Sequence, residues 1–149
     1  MSEETKAVAP VTNDAMKRAE MMERKLKREK ARDEQLAAFA QKELELEDQF
    51  EEEFGPRGEA FEIVNFQHDG PIAVRRGEPV LFKRFQASMP GDKDPTPEAI
   101  YAFVKPCLIY PEKAAFDEII GKRPQIATRV CNALAVLMGA KEGADRGKY

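Results

Sequence analysis

Few side chains in this sequence have the type and spacing to do chemistry. His68 is the single histidine, with Asp69 beside it in the turn-forming run His68-Asp69-Gly70-Pro71. An imidazole next to a carboxylate is the raw material of a general base. No serine or cysteine stands near it in sequence to be activated, so a surface turn residue is the simpler reading. Cys107 and Cys131, the two cysteines, each fall within an apolar helical stripe. There they read as small buried hydrophobes, with no flanking cation cluster to lower a thiol pKa and no oxidising compartment to favour a disulfide. A zinc site needs about four ligands, and one histidine and two cysteines nearly exclude it. Gly55-Pro56-Arg57-Gly58 has neither the glycine spacing nor the lysine of a phosphate-binding loop. The seven acids between Glu43 and Glu53 read as a solvated helix face, since a catalytic carboxylate pair needs burial to split its pKa values. The expectation is therefore no catalytic residue, no cofactor and no metal: a protein that is not an enzyme.

What remains is surface for binding other chains. Arg75, Arg76, Lys83 and Arg84 place four cations in ten residues. They read either as a solvated face or as a docking patch for an acidic surface, such as the Glu-rich helix of a neighbouring copy. Leu36, Phe39, Phe50 and Phe54 are apolar anchors on a charged segment that need something to cover them. These eight residues are the candidate protein-binding positions.

The elements that must position them follow from how charge and apolar residues are distributed along 149 residues. The totals are nearly even, 24 Lys+Arg against 27 Asp+Glu, but they are segregated. Lys17 to Glu34 carries eight basic residues against five acids, whereas Lys42 to Glu53 carries seven acids against Lys42 alone. No glycine or proline interrupts Val11 to Phe54. Asn13 or Asp14 has cap chemistry and Gly55-Pro56 is a stop. The segment 14–54 is expected to be one helix, roughly 60 Å long at about 1.5 Å per residue. Residues 1–13 are expected to be flexible. Glu20 with Arg24 and Glu23 with Lys27 are i,i+4 pairs worth a few tenths of a kcal/mol each. Ala15, Ala19, Met22 and Leu26 form a thin apolar stripe on the first half, and Leu36, Phe39, Ala40, Leu46, Phe50 and Phe54 resume it. This helix either docks its second half on the protein's own domain or engages a partner. Interleaved acids make nucleic-acid binding a poor reading of its basic half.

Past Gly58 the texture changes. Phe61 to Phe66 is aromatic and β-branched and leads through a turn to Pro71–Arg76, which predicts a hairpin. Glu78-Pro79 opens either a short helix to Phe85 or an edge strand, completing a small β element over 59–88. Ser88 to Pro95 is a polar loop. Thr96-Pro97-Glu98 starts a helix, whose face is Ile100, Phe103, Val104, Cys107 and Leu108. Pro106 predicts a kink or early stop. Phe116, Ile119 and Ile120 mark a short helix closed by Gly121. After Pro124 comes a last helix with Ile126, Val130, Leu134 and Leu137 inward and Gly139 as its cap. The fold class is thus mainly α (α+β): a long charged helix, a small hairpin, and a three-helix unit over 96–140, with a flexible tail at 141–149. No apolar run spans a bilayer and no secretory signal opens the chain, so a soluble intracellular protein is expected. A core this small benefits from a partner or from homo-oligomerisation.

Cys107-Leu108-Ile109-Tyr110-Pro111, then Phe116, then a last amphipathic helix closing with Leu137-Met138-Gly139, resembles the tail assembly chaperones of long-tailed bacteriophages. The Phe61-to-Val74 segment also resembles the short β element that precedes this unit in that family. The resemblance covers about 80 residues and leaves the charged N-terminal helix unmatched. It implies a non-catalytic protein of the host cytoplasm, absent from the mature virion, that coats the tape measure protein and recruits tail tube subunits. Two other classes remain beside it. One is an oligomeric structural or scaffold protein assembling through its N-terminal helix; the other is a small regulatory binder of protein or nucleic acid.

Overall fold

With nothing between Val11 and Phe54 to break a helix, the chain forms one. In the computed structural model, which describes residues 2–89 and 94–139 (side chains from Asn13), helix α1 spans Ser2–Glu53. Asn13 and Asp14 are therefore interior to the helix and do not cap it, because their capping preference is weak against a continuing backbone ladder. The stop at Gly55 is as the sequence predicts: the Phe54 and Gly55 amides still donate back to Phe50 and Glu51, and Gly55 adopts φ +125°. The loop centre at 90–93 and the tail from 140 lie outside the described residues.

The chain divides into two units, Met1–Ala38 and Phe39–Tyr149. In the first, every side chain from Asn13 to Ala38 is exposed. Of the two expected i,i+4 pairs, Glu23–Lys27 forms at 3.7 Å, in solvent where such a pair contributes little.

The second unit is layered. Strands β1 (Phe61–Phe66) and β2 (Gly70–Arg75) pair antiparallel from Phe61 opposite Arg75 to Phe66 opposite Gly70. A third strand, β3 (Leu108–Tyr110), joins the far edge of β2, with an irregularity at Ala73/Val74. Side chains alternate along strands, so each strand feeds two cores. Phe61, Ile63 and Ala73 face the end of α1, where Leu46 and Phe50 close a small apolar cluster. Val64, Phe66, Ile72, Val74 and Leu108 face the helices on the other side. A sheet covered on both faces reads as an unbroken apolar run, which accounts for the wholly buried Pro71-Ile72-Ala73-Val74.

The helical layer comprises α2 (Pro79–Ala87), α3 (Pro97–Val104), α4 (Lys113–Lys122) and α5 (Gln125–Leu137). The helix alternative at Glu78-Pro79 is the one adopted. α3 begins as expected, with Thr96 Oγ1 accepting from the Ala99 amide at 3.2 Å. It stops at Val104, before Pro106, and the chain makes one 3-10 turn, Lys105–Cys107, before entering β3. α4 runs one residue past Gly121, and α5 ends at Leu137, with Met138 as its C-cap and Gly139 at φ +113° just beyond. Phe103, Val104, Phe116, Val130 and Leu134 are essentially fully buried. Among the described residues no helix is long and apolar enough to cross a membrane.

Candidate protein-binding surfaces

The four aromatic and aliphatic anchors on α1 separate in the structure. At about 100° per residue, Phe39, Leu46 and Phe50 fall within an arc of about 40°, and this arc is the one that docks. Phe50, expected to be a partner contact, is instead a core residue, 4% exposed, with its ring edge-on to Phe61 at 5.7 Å. Phe39 is half-buried over the hairpin turn. A methyl group on Gly70 would meet its ring at 2.8 Å, and Gly70 itself sits at φ +79°, so the turn is shaped for that aromatic. Asn65 Nδ2 also donates to the Phe39 carbonyl at 3.2 Å. Both rings are thus used internally. Leu36 and Phe54 lie off the docked arc, and each is 37% exposed.

Phe54 belongs to an open groove of about 410 Å³ whose other walls are Pro56, Glu59, Ala60, Arg75, Arg76 and Gly77. Three of the predicted binding residues therefore meet here. The four-cation cluster, contiguous in sequence, is divided in space. Arg75 ends β2 and Arg76 follows it, both beside Phe54. Arg84 rims a separate apolar cleft of about 150 Å³ walled by Leu81, Phe85, Ala99, Ala102 and Phe103. Lys83 is exposed on α2. Among the described residues none of these four cations has an ion-pair partner.

Sequence reasoning missed Arg57. Its Nε donates to Glu62 at 2.6 Å, Nη1 to Glu43 at 3.0 Å and Glu47 at 3.2 Å, and Nη2 to the Ile63 carbonyl at 3.0 Å. Partial burial alone would lower the guanidinium pKa, but the three carboxylates outweigh it and hold the pKa above the ordinary arginine value. The hub ties α1 to the sheet and closes the outer edge of β1: the Phe61 carbonyl accepts from Gly58 N, and the Ile63 amide donates to Glu62. Open edges invite pairing with other chains, and this one is occupied. By the alternation of an antiparallel ladder, Asn65 also faces away from β2. Its partner Pro71 thus has no N–H missing from the β1–β2 ladder.

Arg57 also sorts the acidic run. Glu43 and Glu47 are engaged, whereas Glu45, Asp48, Glu51, Glu52 and Glu53 are exposed and unpaired among the described residues. Of the residues first weighed for chemistry, His68 is exposed in its turn, and Asp69 is held by Arg123 Nη1 at 2.9 Å and not by the imidazole. Both thiols are free and buried. Burial pushes the Cys131 pKa up to about 12 and raises that of Cys107, which Arg75 partly offsets. Thiols held neutral are poor nucleophiles. Among the described residues no three His, Cys, Asp or Glu side chains gather as a metal ion would require.

In the Met1–Ala38 unit, Met16, Met21, Met22 and Leu26 are each more than half exposed. Met21 and Met22 share a shallow surface site with Arg24, Lys25 and Arg28. Comparison with protein-family models, with curated proteins and with solved structures returns no match.

Proposed function

We propose that this protein is a non-enzymatic assembly chaperone of a phage tail, binding the tape measure protein and recruiting tail tube subunits in the host cytoplasm. The observation that carries the reading is the uncovered apolar stripe on a charged helix. Met22 and Leu26 stand in solvent at 59% and 60% exposure, spaced to share a face with Ala15 and Ala19. A helix bearing such a stripe binds by laying it against another helix or into a groove. Methionine adapts to irregular partners, which suits coating a long, repetitive helical protein. The flanking Lys and Arg stems add apolar cover while keeping their charges wet.

Co-expression with the tape measure protein of the same phage tests this. Wild-type chain is expected to keep that protein soluble, and Met22→Ser/Leu26→Ser is expected to lose the effect with unchanged thermal stability. An insoluble tape measure protein in the presence of wild-type chain overturns the proposal. The same stripe favours one other reading, a scaffold that oligomerises through this helix. In that case the double variant lowers the mass of the protein alone and leaves the tape measure protein's solubility untouched.

A further inference from the structure

We infer that the Phe54 groove is a self-complementary dimer face, with each copy's acidic turn seated on the other copy's Arg75 and Arg76. This inference rests on the second unit alone and is independent of the chaperone reading.

Three observations converge on the same few residues. Phe54 is a large aromatic left 37% exposed at the mouth of a groove, although its neighbours Phe50 and Phe61 are buried. One wall of the groove is cationic: Arg75 and Arg76 are exposed, and neither has an ion-pair partner among the described residues. The turn of α1 that delivers Phe54 is Glu51-Glu52-Glu53, all exposed and equally unpaired. At about 100° per residue, Glu51 lies about 60° from Phe54 on the side away from the docked arc, so of the three it is Glu51 that flanks Phe54 while the arginines line the groove beside it. Within one chain the two charge groups form no bond. The chain's nearest bridging guanidinium, Arg57, is committed to Glu43, Glu47 and Glu62.

A patch with an aromatic at its centre, anionic on one side and cationic on the other, matches its own copy under a two-fold axis. In such an isologous contact residue i meets j and j meets i, so both ionic contacts form twice and the two Phe54 rings meet near the axis. Glu59, also in the groove wall, offsets part of the arginine charge and keeps the attraction modest. An acidic helix from an unrelated protein satisfies only the cationic half of the patch. The second copy satisfies both halves, which is why it is the occupant chosen.

The experiment is a charge-swap mixing series read by sedimentation on the full chain. Wild type is expected to dimerise. Its dissociation constant should weaken about tenfold between about 0.1 M and about 1 M salt, where the Debye length shrinks from about 10 Å to about 3 Å. Arg75→Glu/Arg76→Glu alone and Glu51→Lys alone are each expected to be monomeric, with circular dichroism unchanged. Mixed in equal amounts they are expected to form a heterodimer, because each then supplies the charge the other lacks. A monomeric wild type overturns the inference. So does a dimer that persists in both variants, which places association elsewhere on the chain, as does a mixture that stays monomeric.

Discussion

Replacing Arg57 with alanine removes one side chain and four interactions at once, so its consequence can be worked from the structure. The guanidinium is 28% exposed, and its three carboxylates are exposed to a similar degree. These charge-assisted contacts are screened by water and are each worth less than the value for a buried pair. The loss leaves the Ile63 carbonyl without its donor, at about 1 kcal/mol, and leaves Glu43 and Glu47 as an unshielded like-charge i,i+4 pair, at a few tenths more. It also removes the clamp between α1 and the sheet. The total is about 2–3 kcal/mol, which for a unit of this size is a fall in Tm of about 10 °C. Thermal denaturation followed by circular dichroism measures it. Arg57→Lys keeps the charge but not the planar fork and should recover less than half. The arginine pKa lies above any working pH in both folded and unfolded states, so the loss should be independent of pH from about 5 to about 9. A shift under about 2 °C for Arg57→Ala, or a lysine variant indistinguishable from wild type, refutes the hub.

Three further outcomes are expected. Phe61→Ala, at a residue with no exposure, should cost about 3–5 kcal/mol in urea denaturation, whereas Phe54→Ala should cost under about 1 kcal/mol; equal costs would contradict the division of the aromatics. Gly70→Ala should cost about 2–4 kcal/mol from the positive φ and the Phe39 ring together, falling to about 1–2 kcal/mol in a Phe39→Ala background as the clash is relieved; an unchanged cost would remove Phe39 from the turn. Stability should also fall as pH rises through the window from 9.0 to about 12. There the unfolded chain loses the Cys131 proton while the folded chain retains it, a slope from this thiol of up to about 1.4 kcal/mol per unit. Cys131→Ala should flatten that slope, and an identical slope would show the thiol to be solvated.

The parts of the fold that the sequence makes legible are those set by local chemistry. Thr96-Pro97, Pro79 and the β-branched run at Phe61 each announce an element, and the apolar spacing of α3 to α5 names their buried faces correctly. Strand β3 is hidden because Leu108 completes a helical i,i+8 pattern begun at Ile100. Only Pro106 hints that the backbone leaves the helix before reaching it. Arg57 is hidden for a different reason: its partners sit in a run of seven similar acids, and no local rule selects Glu43 and Glu47 among them. Their i,i+4 spacing, followed by an arginine just past the helix stop, is the faint signal that could have been used. The anchors on α1 show the same limit, since Phe39, Phe50 and Phe54 look alike as residues and only the docking angle of the helix separates them.

The central claim is that the exposed stripe of the N-terminal helix binds another protein. Isothermal titration of the full chain against the tape measure protein tests it most directly. The account predicts saturable binding that weakens at least about tenfold in Met22→Glu/Leu26→Glu at unchanged Tm, because a charge buried in an apolar contact costs more than about 1.4 kcal/mol. Absence of binding by the wild-type chain, or equal affinity for both proteins, would contradict it.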